Sequence, residues 1–140
     1  MKQSSQMLAL CACTRIRTVA RLITRAYDEA LRPTGLKASQ LAVLAAVDSL
    51  EAPSIAALSK ALFMDRSTLT RNLRPLMNAG LVVLEEDGRA KTTRLSARGQ
   101  RSLEAAVPLW TRAQKEYAQR LRKQDLQEID SQLHALISSY

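Results

Sequence analysis

The sequence predicts a mainly α-helical protein that carries one small β-hairpin. Apolar residues recur at three- and four-residue steps through most of the 140 residues, which is the spacing of a helix face. The spacing changes to a β-type pattern only at residues 81–95, where Asp87-Gly88 supplies a favoured hairpin turn. Because only five residues are aromatic, the core is expected to consist of Leu, Ala, Val and Ile.

Two helices are predicted before Pro53. The first covers about residues 12–32 and should end at Pro33 and Gly35. The second has Ser39 as its expected N-cap. Its apolar stripe consists of Leu41, Leu44, Val47 and Leu50.

A helix-turn-helix unit is predicted in the middle of the chain. Ser54 is a suitable N-cap for a short helix over 54–62, and Asp65 is one for an amphipathic helix over 65–79. The connection between them, Phe63-Met64, leaves room only for a tight turn. The second helix should bury four apolar side chains, Leu69, Leu73, Leu76 and Met77.

Two further helices are predicted after the hairpin. Ser96 should open a long helix that Pro108 kinks, and Asp125 should open the last helix. The apolar stripe of the long helix consists of Leu103, Val107, Trp110, Tyr117 and Leu121. The stripe of the last helix consists of Leu126, Ile129, Leu133, Leu136 and Ile137.

The charge of the chain indicates a polyanionic partner. Lys and Arg outnumber Asp and Glu by 21 to 13, which gives a net charge of +8 and a pI near 10.1. The excess lies in residues 1–37 and 54–101, each with a net charge of +5, whereas residues 102–140 are balanced. A positive surface formed by these two segments would suit a nucleic acid.

Scarce residue types exclude several classes of protein. His134 is the single histidine, so we expect no catalytic triad and no multi-histidine metal site. No cofactor is expected. We find no nucleophile–base pair, glycine-rich phosphate loop or paired-carboxylate spacing that would indicate an enzyme. Cys11 and Cys13 lie too close together for a disulfide framework, and the apolar run Met7–Cys13 is too short to span a membrane. A cytoplasmic protein without a membrane partner is therefore expected.

The second helix of the helix-turn-helix unit carries side chains that suit the DNA major groove. Arg can pair with guanine, Asn with adenine, and Ser or Thr can bond a base or a phosphate. The outward positions are Arg66, Ser67, Thr68, Thr70, Arg71, Asn72 and Arg74. Arg89 and Lys91 flank the hairpin tip, where an arginine suits the narrow minor groove and Asp87 would orient it. A helix-turn-helix unit followed by a hairpin with a basic tip predicts a winged helix-turn-helix lobe, in which the hairpin is the wing.

Four stretches of the chain resemble one known family. They are residues 36–44, 62–73 and 79–82, and the wing pattern Asp87-x-Arg89 followed by Leu95-Ser96-x-x-Gly99. From about residue 12 to 138 the sequence resembles the multiple antibiotic resistance regulator (MarR) family of bacterial winged-helix transcription factors. The resemblance implies a sequence-specific regulator, expected to be a repressor, that binds a palindromic double-stranded DNA operator.

The resemblance also implies an organisation and contact residues. A homodimer is expected, joined through the first and last helices, with Arg89 in the minor groove. The residues implied at the major groove are Arg66, Ser67, Thr68, Thr70, Arg71 and Arg74. The chain is interpreted as one continuous domain of about residues 10–138, which consists of an N-terminal dimerisation arm (1–35), a winged helix-turn-helix DNA-binding lobe (36–100) and C-terminal dimerisation helices (101–140).

A winged-helix module that binds protein or RNA is the alternative to a DNA-binding regulator. A protein-binding module would normally present acidic or apolar groups on its second helix. Arg66, Arg71 and Arg74 stand there instead, so the sequence favours DNA.

The signal that the protein senses stays open between a small molecule and an oxidant. The resemblance implies a small amphipathic, often aromatic, effector held between the dimerisation helices and the DNA-binding lobe. Trp110 and Tyr117 are the candidate pocket residues.

The alternative is a thiol-based oxidant sensor that acts through Cys13. This cysteine precedes Tyr27 by fourteen residues, as in a hydroperoxide-sensing subgroup of the family, and Arg17 one turn later would favour its thiolate. Cys11 would be the resolving thiol, although two positions on one helix point about 200° apart. The plainer interpretation makes both cysteines small packing residues.

Overall fold

The computed structural model describes residues 3–88 and 90–140, apart from the side chains of Asp87 and Ala90. Seven helices and a two-stranded antiparallel hairpin occupy most of this part of the chain. A short 3-10 turn at Arg32–Thr34 follows the second helix. The elements are α1 (Gln3–Leu10), α2 (Ala12–Leu31), α3 (Ala38–Ser49), α4 (Ile55–Leu62), α5 (Arg66–Asn78), β1 (Val82–Asp87), β2 (Ala90–Leu95), α6 (Ala97–Gln119) and α7 (Lys123–Ser138). The predicted order is therefore confirmed, with α1 as an additional element.

The core surrounds α3, which contacts α2, α4, α5, α6 and β2. Val43 and Leu44 of α3 are fully buried, and Leu31, Leu58 and Leu69 from three neighbouring helices join the same cluster. Apart from Pro53 and Gly99, every buried apolar residue in the described part of the chain is Leu, Val or Ala. The prediction of an aliphatic core is confirmed.

The helix-turn-helix unit begins its two helices at the predicted residues. The Oγ of Ser54 accepts a hydrogen bond from the amide of Ala57 at 3.1 Å, and Oδ1 of Asp65 accepts one from the amide of Thr68 at 2.7 Å. Each cap satisfies an amide that has no partner inside its helix. The prediction for Met77 is wrong, because this side chain is 40% exposed while the buried face of α5 consists of Leu69, Leu73 and Leu76.

The hairpin is attached to the helix-turn-helix unit through Thr93. The strands pair from Val82↔Leu95 to Asp87↔Ala90, so Asp87 ends β1 and Gly88, with φ of 61°, lies in the turn. Thr93 is fully buried, and both its amide and its hydroxyl donate to the carbonyl of Pro53 at 2.9 Å. These two hydrogen bonds to the connection before α4 fix where the wing stands beside α5.

Two predicted helix starts are wrong. Ser39 is not an N-cap: α3 begins at Ala38, whose amide donates to Oδ1 of Asp28 at 2.7 Å. The amide of Ala38 is therefore capped from α2, ten residues away, which a local sequence pattern does not reveal, while Gln40 accepts locally from the amide of Lys37 at 2.9 Å. The last helix begins at Lys123 instead of Asp125, which lies in its first turn and accepts a 2.7 Å hydrogen bond from Arg122.

The long helix α6 differs from its prediction at its end. It continues through Pro108 and stops at Gln119, so Leu121 lies in the connection to α7. Its buried side is formed by small and aliphatic residues, among them Leu103, Ala106 and Ala113. Trp110, predicted on that apolar stripe, is 43% exposed.

The helices at both ends of the chain expose apolar surface. In the described residues, α1 and α7 bury no residue and α2 buries only Leu31. The large apolar side chains that these three helices expose are Met7, Leu8, Leu10, Ile16, Val19, Leu22, Leu133, Leu136 and Ile137. A single chain therefore leaves these apolar side chains exposed to solvent, although α2 itself packs against α6 and α3.

Candidate nucleic-acid interface

The outer face of α5 carries three arginines that are free to meet a polyanion. Arg66, Arg71 and Arg74 are exposed, and none of them forms an ion pair with any described residue. The opposite face of the same helix is held in the core by its leucines. Because a surface arginine in an ion pair is partly neutralised, this unpaired group gives the face its positive potential.

The other predicted contact residues on α5 are partly engaged inside the protein. The amide and hydroxyl of Thr68 donate to Asp65, and the hydroxyl of Thr70 donates to the carbonyl of Arg66 at 2.7 Å. The side-chain amide of Asn72 donates one of its two N–H groups to the carbonyl of Thr68 at 3.0 Å. The threonine hydroxyls keep lone pairs but have no free proton, so most free donors of the face belong to the arginines and to exposed Ser67.

The electrostatics at the start of α5 are set by its N-cap. Hydrogen bonds from the backbone amide of Thr68 and then from its hydroxyl hold the pKa of Asp65 below its ordinary value. Asp65 is therefore a carboxylate throughout the physiological range. It is committed to the helix start, which leaves Arg66 beside it unpaired among the described residues.

The wing contains charged pairs that lie across its two strands. Lys91 Nζ lies 3.1 Å from a carboxylate oxygen of Glu86, and Arg94 Nε donates to Glu85 at 2.8 Å. Lys91 is thus exposed, as predicted, but its charge is partly neutralised by the ion pair with Glu86. Arg89, predicted at the wing tip, and the side chain of Asp87, predicted to orient it, lie outside the described part of the structure.

A close contact joins the wing to α6, and sequence reasoning did not single it out. Ser96 caps α6 by accepting from the amide of Gly99 at 2.9 Å, while its own hydroxyl donates to the carbonyl of Gly80 at 2.6 Å. A Cβ atom on Gly99 would lie 2.0 Å from the carbonyl oxygen of Leu81. The sequence pattern Leu-Ser-x-x-Gly contains both residues of this contact. Its physical reason is that the first turn of α6 lies against the backbone of Gly80 and Leu81.

Trp110 and Tyr117 line two separate clefts. Trp110 lines a mainly apolar cleft of about 390 Å³ between α3 and α6, together with Leu41, Leu103 and Val107. Tyr117 lines a smaller cleft of about 80 Å³ between α2 and α6. Tyr27 borders both clefts, and its hydroxyl donates to Oε1 of Gln114. Burial, with a contribution from Tyr117, raises the pKa of Tyr27, so its hydroxyl keeps its proton as a hydrogen-bond donor.

The two cysteines lie at the break between α1 and α2. Cys11 is half-buried at the N-cap of α2, with extended backbone, and Cys13 is exposed in the first turn. Hydrogen bonds from the side chain and then the backbone of Thr14 lower the pKa of the Cys11 thiol. The premise that both cysteines lie on one continuous helix is therefore wrong, because Cys11 is not helical.

The described residues contain no group of three His, Cys, Asp or Glu side chains arranged to hold a metal ion. Within residues 3–88 and 90–140, no helix combines the length and the apolar character that crossing a membrane requires.

Comparisons with known proteins agree on one family. A sequence profile described as MarR family matches residues 34–91. A crystal structure of the Mycobacterium tuberculosis transcriptional regulator MosR is 32% identical with a TM-score of 0.80, and the alignment covers 95% of this chain and 99% of that one. A second MosR structure, in complex with DNA, is 34% identical with a TM-score of 0.77, covering 92% and 98%. Comparison with curated protein sequences gives no match.

Two more distant structures share the fold. A mutant MarR from Escherichia coli, complexed with operator DNA, is 23% identical with a TM-score of 0.84, and the alignment covers 93% of this chain and 96% of that one. BpsR from Bordetella bronchiseptica, whose DNA binding is regulated by 6-hydroxynicotinic acid, is 20% identical with a TM-score of 0.82, covering 91% and 95%.

Proposed function

Because this chain belongs to the MarR family of winged-helix transcriptional regulators, we propose that it is a homodimeric repressor of a palindromic DNA operator. Release from the operator would follow the binding of a small amphipathic or aromatic molecule. The observation that carries DNA binding is the group of exposed arginines on α5 that form no ion pair with any described residue, while the leucines of the same helix are buried in the core. The MosR–DNA complex and the MarR–operator complex support the proposal by analogy.

In this proposal Arg66, Ser67, Thr68, Thr70, Arg71 and Arg74 face the major groove. The arginines can donate paired hydrogen bonds to guanine or single ones to phosphate, while Thr68 and Thr70 offer hydroxyl oxygens as acceptors. Arg89 and Lys91 of the wing face the adjacent minor groove, where negative potential is strongest if the groove is narrow. This assignment favours DNA over a protein partner, since the face presents neither carboxylates nor an apolar patch.

The two terminal arms support a homodimer. Both α2 and α7 are amphipathic helices, and in a single chain each leaves part of its apolar stripe in solvent. The exposed residues are Ile16, Val19 and Leu22 in α2 and Leu133, Leu136 and Ile137 in α7. Burying apolar surface releases about 25 cal/mol per Å², so these stripes have a strong tendency to pair. A two-fold dimer would place two copies of α5 about 34 Å apart, which is one turn of DNA.

Selection of DNA from random duplexes by the full chain tests this function. The expected result is an inverted repeat whose half-sites are centred about one helical turn apart. Sedimentation of the protein–DNA complex should give two chains per duplex. Recovery of no preferred sequence, or binding by one chain with undiminished affinity, would contradict the proposal.

The cleft beside Trp110 is the proposed effector site. It is mainly apolar, and it lies between α6, which continues toward the dimer arm, and α3 of the DNA-binding lobe. A flat apolar molecule there would change how these two parts pack. Ala45 lines the cleft and is exposed, so Ala45→Phe should fill it without harming the core.

A panel of aromatic acids and phenols tests the effector site. A compound that releases DNA from the wild type should lose its effect on Ala45→Phe, while Ala105→Phe, on the exposed side of α6, should respond like the wild type. If both variants respond equally, the effector binds elsewhere.

Oxidant sensing is the second candidate function, and the lowered pKa of Cys11 favours it. The Cys11 thiolate would attack a hydroperoxide, forming a sulfenic acid and releasing an alcohol; the Cys13 thiol would then form a disulfide and release water. In this scheme Cys11 is the reacting thiol and Cys13 the resolving one, which is the reverse of the roles suggested by the sequence. The test is DNA release by organic hydroperoxide for the wild type, Cys11→Ser and Cys13→Ser, and equal release by all three would exclude it.

A further inference from the structure

Phe63 adopts a backbone conformation that a bulky side chain rarely takes. It is the residue after α4, with φ of 50° and ψ of 38°, in the left-handed region. That conformation lets its amide donate to the carbonyl of Lys60 and lets the amide of Met64 donate to that of Ser59 at 3.0 Å, which closes the helix. Glycine meets this requirement without steric cost, so a phenylalanine here indicates that its ring makes a contact of its own.

The described structure does not supply that contact. Phe63 is 68% exposed. The other exposed large apolar residues of the lobe, Leu50, Met77 and Val83, are 43%, 40% and 38% exposed. Two other described non-glycine residues, Glu51 and Ala52, have positive φ, but neither displays a large apolar group. Phe63 therefore combines a strained backbone with an aromatic ring that is mostly in solvent.

The position of Phe63 connects it to the DNA-binding face. It stands two residues before Asp65, the N-cap of α5, and three before Arg66, the first arginine of that face. The start of a recognition helix is the end that approaches base edges in a helix-turn-helix complex. An exposed ring at this turn would lose its water contacts when the lobe binds a duplex.

We propose that Phe63 reads a thymine by packing its ring against the 5-methyl group in the major groove, at the edge of each operator half-site. This inference rests on the proposed function and names a base preference within it. The thymine methyl is the apolar group that the major groove displays, and an aromatic ring is one of the side chains that contacts it. In the complex the ring gains an apolar contact that no described residue of the free protein provides.

The test removes the methyl group and the ring separately. Starting from the duplex that selection recovers, each thymine is replaced singly by deoxyuridine, which lacks only the 5-methyl group. The wild type should bind about fourfold more weakly at one position per half-site, which corresponds to about 0.8 kcal/mol for one buried methyl group. Phe63→Asn, which tolerates left-handed backbone, should show no loss at that position.

Two further variants separate a reading role from a structural one. Phe63→Tyr keeps the ring and should keep the deoxyuridine effect, and Arg71→Ala should bind more weakly overall but keep it as well. Phe63→Asn should unfold at a temperature no lower than the wild type.

Each outcome of this experiment decides the proposal. An equal deoxyuridine effect in the wild type and Phe63→Asn, or no effect in the wild type, overturns the assignment while leaving the proposed function intact. A lower unfolding temperature for Phe63→Asn assigns the ring to the fold and also overturns it. If selection recovers no duplex, the proposed function fails and the thymine contact fails with it.

Discussion

The side chains on the outer face of α5 differ in what they have left to offer a ligand. Thr68, Thr70 and Asn72 donate hydrogen bonds within the protein, whereas Arg71 has no ion-pair partner among the described residues. Residue type alone would count the donors of all four side chains as free. Their hydrogen bonds show that the arginines hold most of the free donors, and the first prediction follows from this.

Arg71→Ala and Arg89→Ala should weaken operator binding in different ways. Loss of Arg71, if it pairs with guanine, should cost about 1–3 kcal/mol of binding free energy and relax the preference at one base pair. Loss of Arg89 should weaken binding to all sequences and lower the salt dependence by about one counterion. Titrations at several salt concentrations with cognate and substituted duplexes measure both. Unchanged binding by both variants would contradict the assignment of helix and wing.

Asp65 should make stability depend on pH at the acidic end. Its pKa is lowered in the folded protein, so its contribution is present above its unfolded pKa of about 3.9 and is lost as the pH falls through the lower folded value. Asp65→Asn can still cap α5 but does not titrate. The stability of the wild type relative to Asp65→Asn should therefore decline below about pH 4, measured as urea midpoints. The lowered pKa of Glu29 acts equally in both proteins and cancels in this difference. A constant difference across that acidic range would show that the cap carries no charge effect.

At the scale of the elements, the connection between the wing and α6 is packed so closely that it cannot accept an added side-chain atom at Gly99. Ser96 contacts both the end of the α5 turn, through Gly80, and the first turn of α6, through Gly99. The amide of Ser96 also donates to the carbonyl of Leu81 at 3.0 Å. The direction of α6 relative to the lobe is therefore fixed by these hydrogen bonds and by the approach of Gly99 to the backbone of Leu81, which cannot adjust as a side chain does.

Gly99→Ala should destabilise the protein by about 3 kcal/mol, at the upper end for overpacking a rigid site. The added Cβ would meet the carbonyl oxygen of Leu81 at 2.0 Å, and the backbone of α6 or of Leu81, just before β1, would have to move. Gln100→Ala, the next position on the same helix, should have little effect because its side chain is half-exposed. Urea denaturation of the three proteins gives the comparison. Equal stability of Gly99→Ala and the wild type would mean that α6 moves away freely.

At the scale of the whole molecule, the lobe is complete within one chain and the arms are not. The buried cluster involves α2 through α6 and the hairpin, while α1 and α7 contribute no buried residue in the described structure. The proposed homodimer accounts for the exposed stripes at both ends of the chain.

Leu136→Glu should weaken self-association and, with it, operator binding. A charge in the centre of the α7 stripe would be buried without a partner in a dimer, but it is already exposed in the single chain, so the lobe should stay folded. Gln127→Glu adds the same charge about 180° around the helix and should leave the dimer intact. Analytical ultracentrifugation measures association, and circular dichroism checks the fold. A dimer of unchanged affinity in Leu136→Glu would place the interface elsewhere.

The order of elements, the helix-turn-helix unit and the hairpin could all be predicted from the sequence, because each depends on neighbours close in the chain. The caps at Ser54 and Asp65 bond to amides three residues away, and the turn at Gly88 needs a positive φ. The candidate DNA-binding arginines could be predicted for the same reason, since the leucines of α5 define its buried face and thereby its outer one.

Only the tertiary structure decided the features that join distant parts of the chain. Asp28 caps the amide of Ala38 at the start of α3, and Thr93 of the wing donates a hydrogen bond to the carbonyl of Pro53. Gly99 lies against the backbone of Leu81. The exposure of Phe63 belongs with these, because whether a ring is covered depends on which elements pack over it. Local periodicity carries no information on such pairs: they form when the core around α3 closes, and backbone and side-chain atoms far apart in sequence then meet.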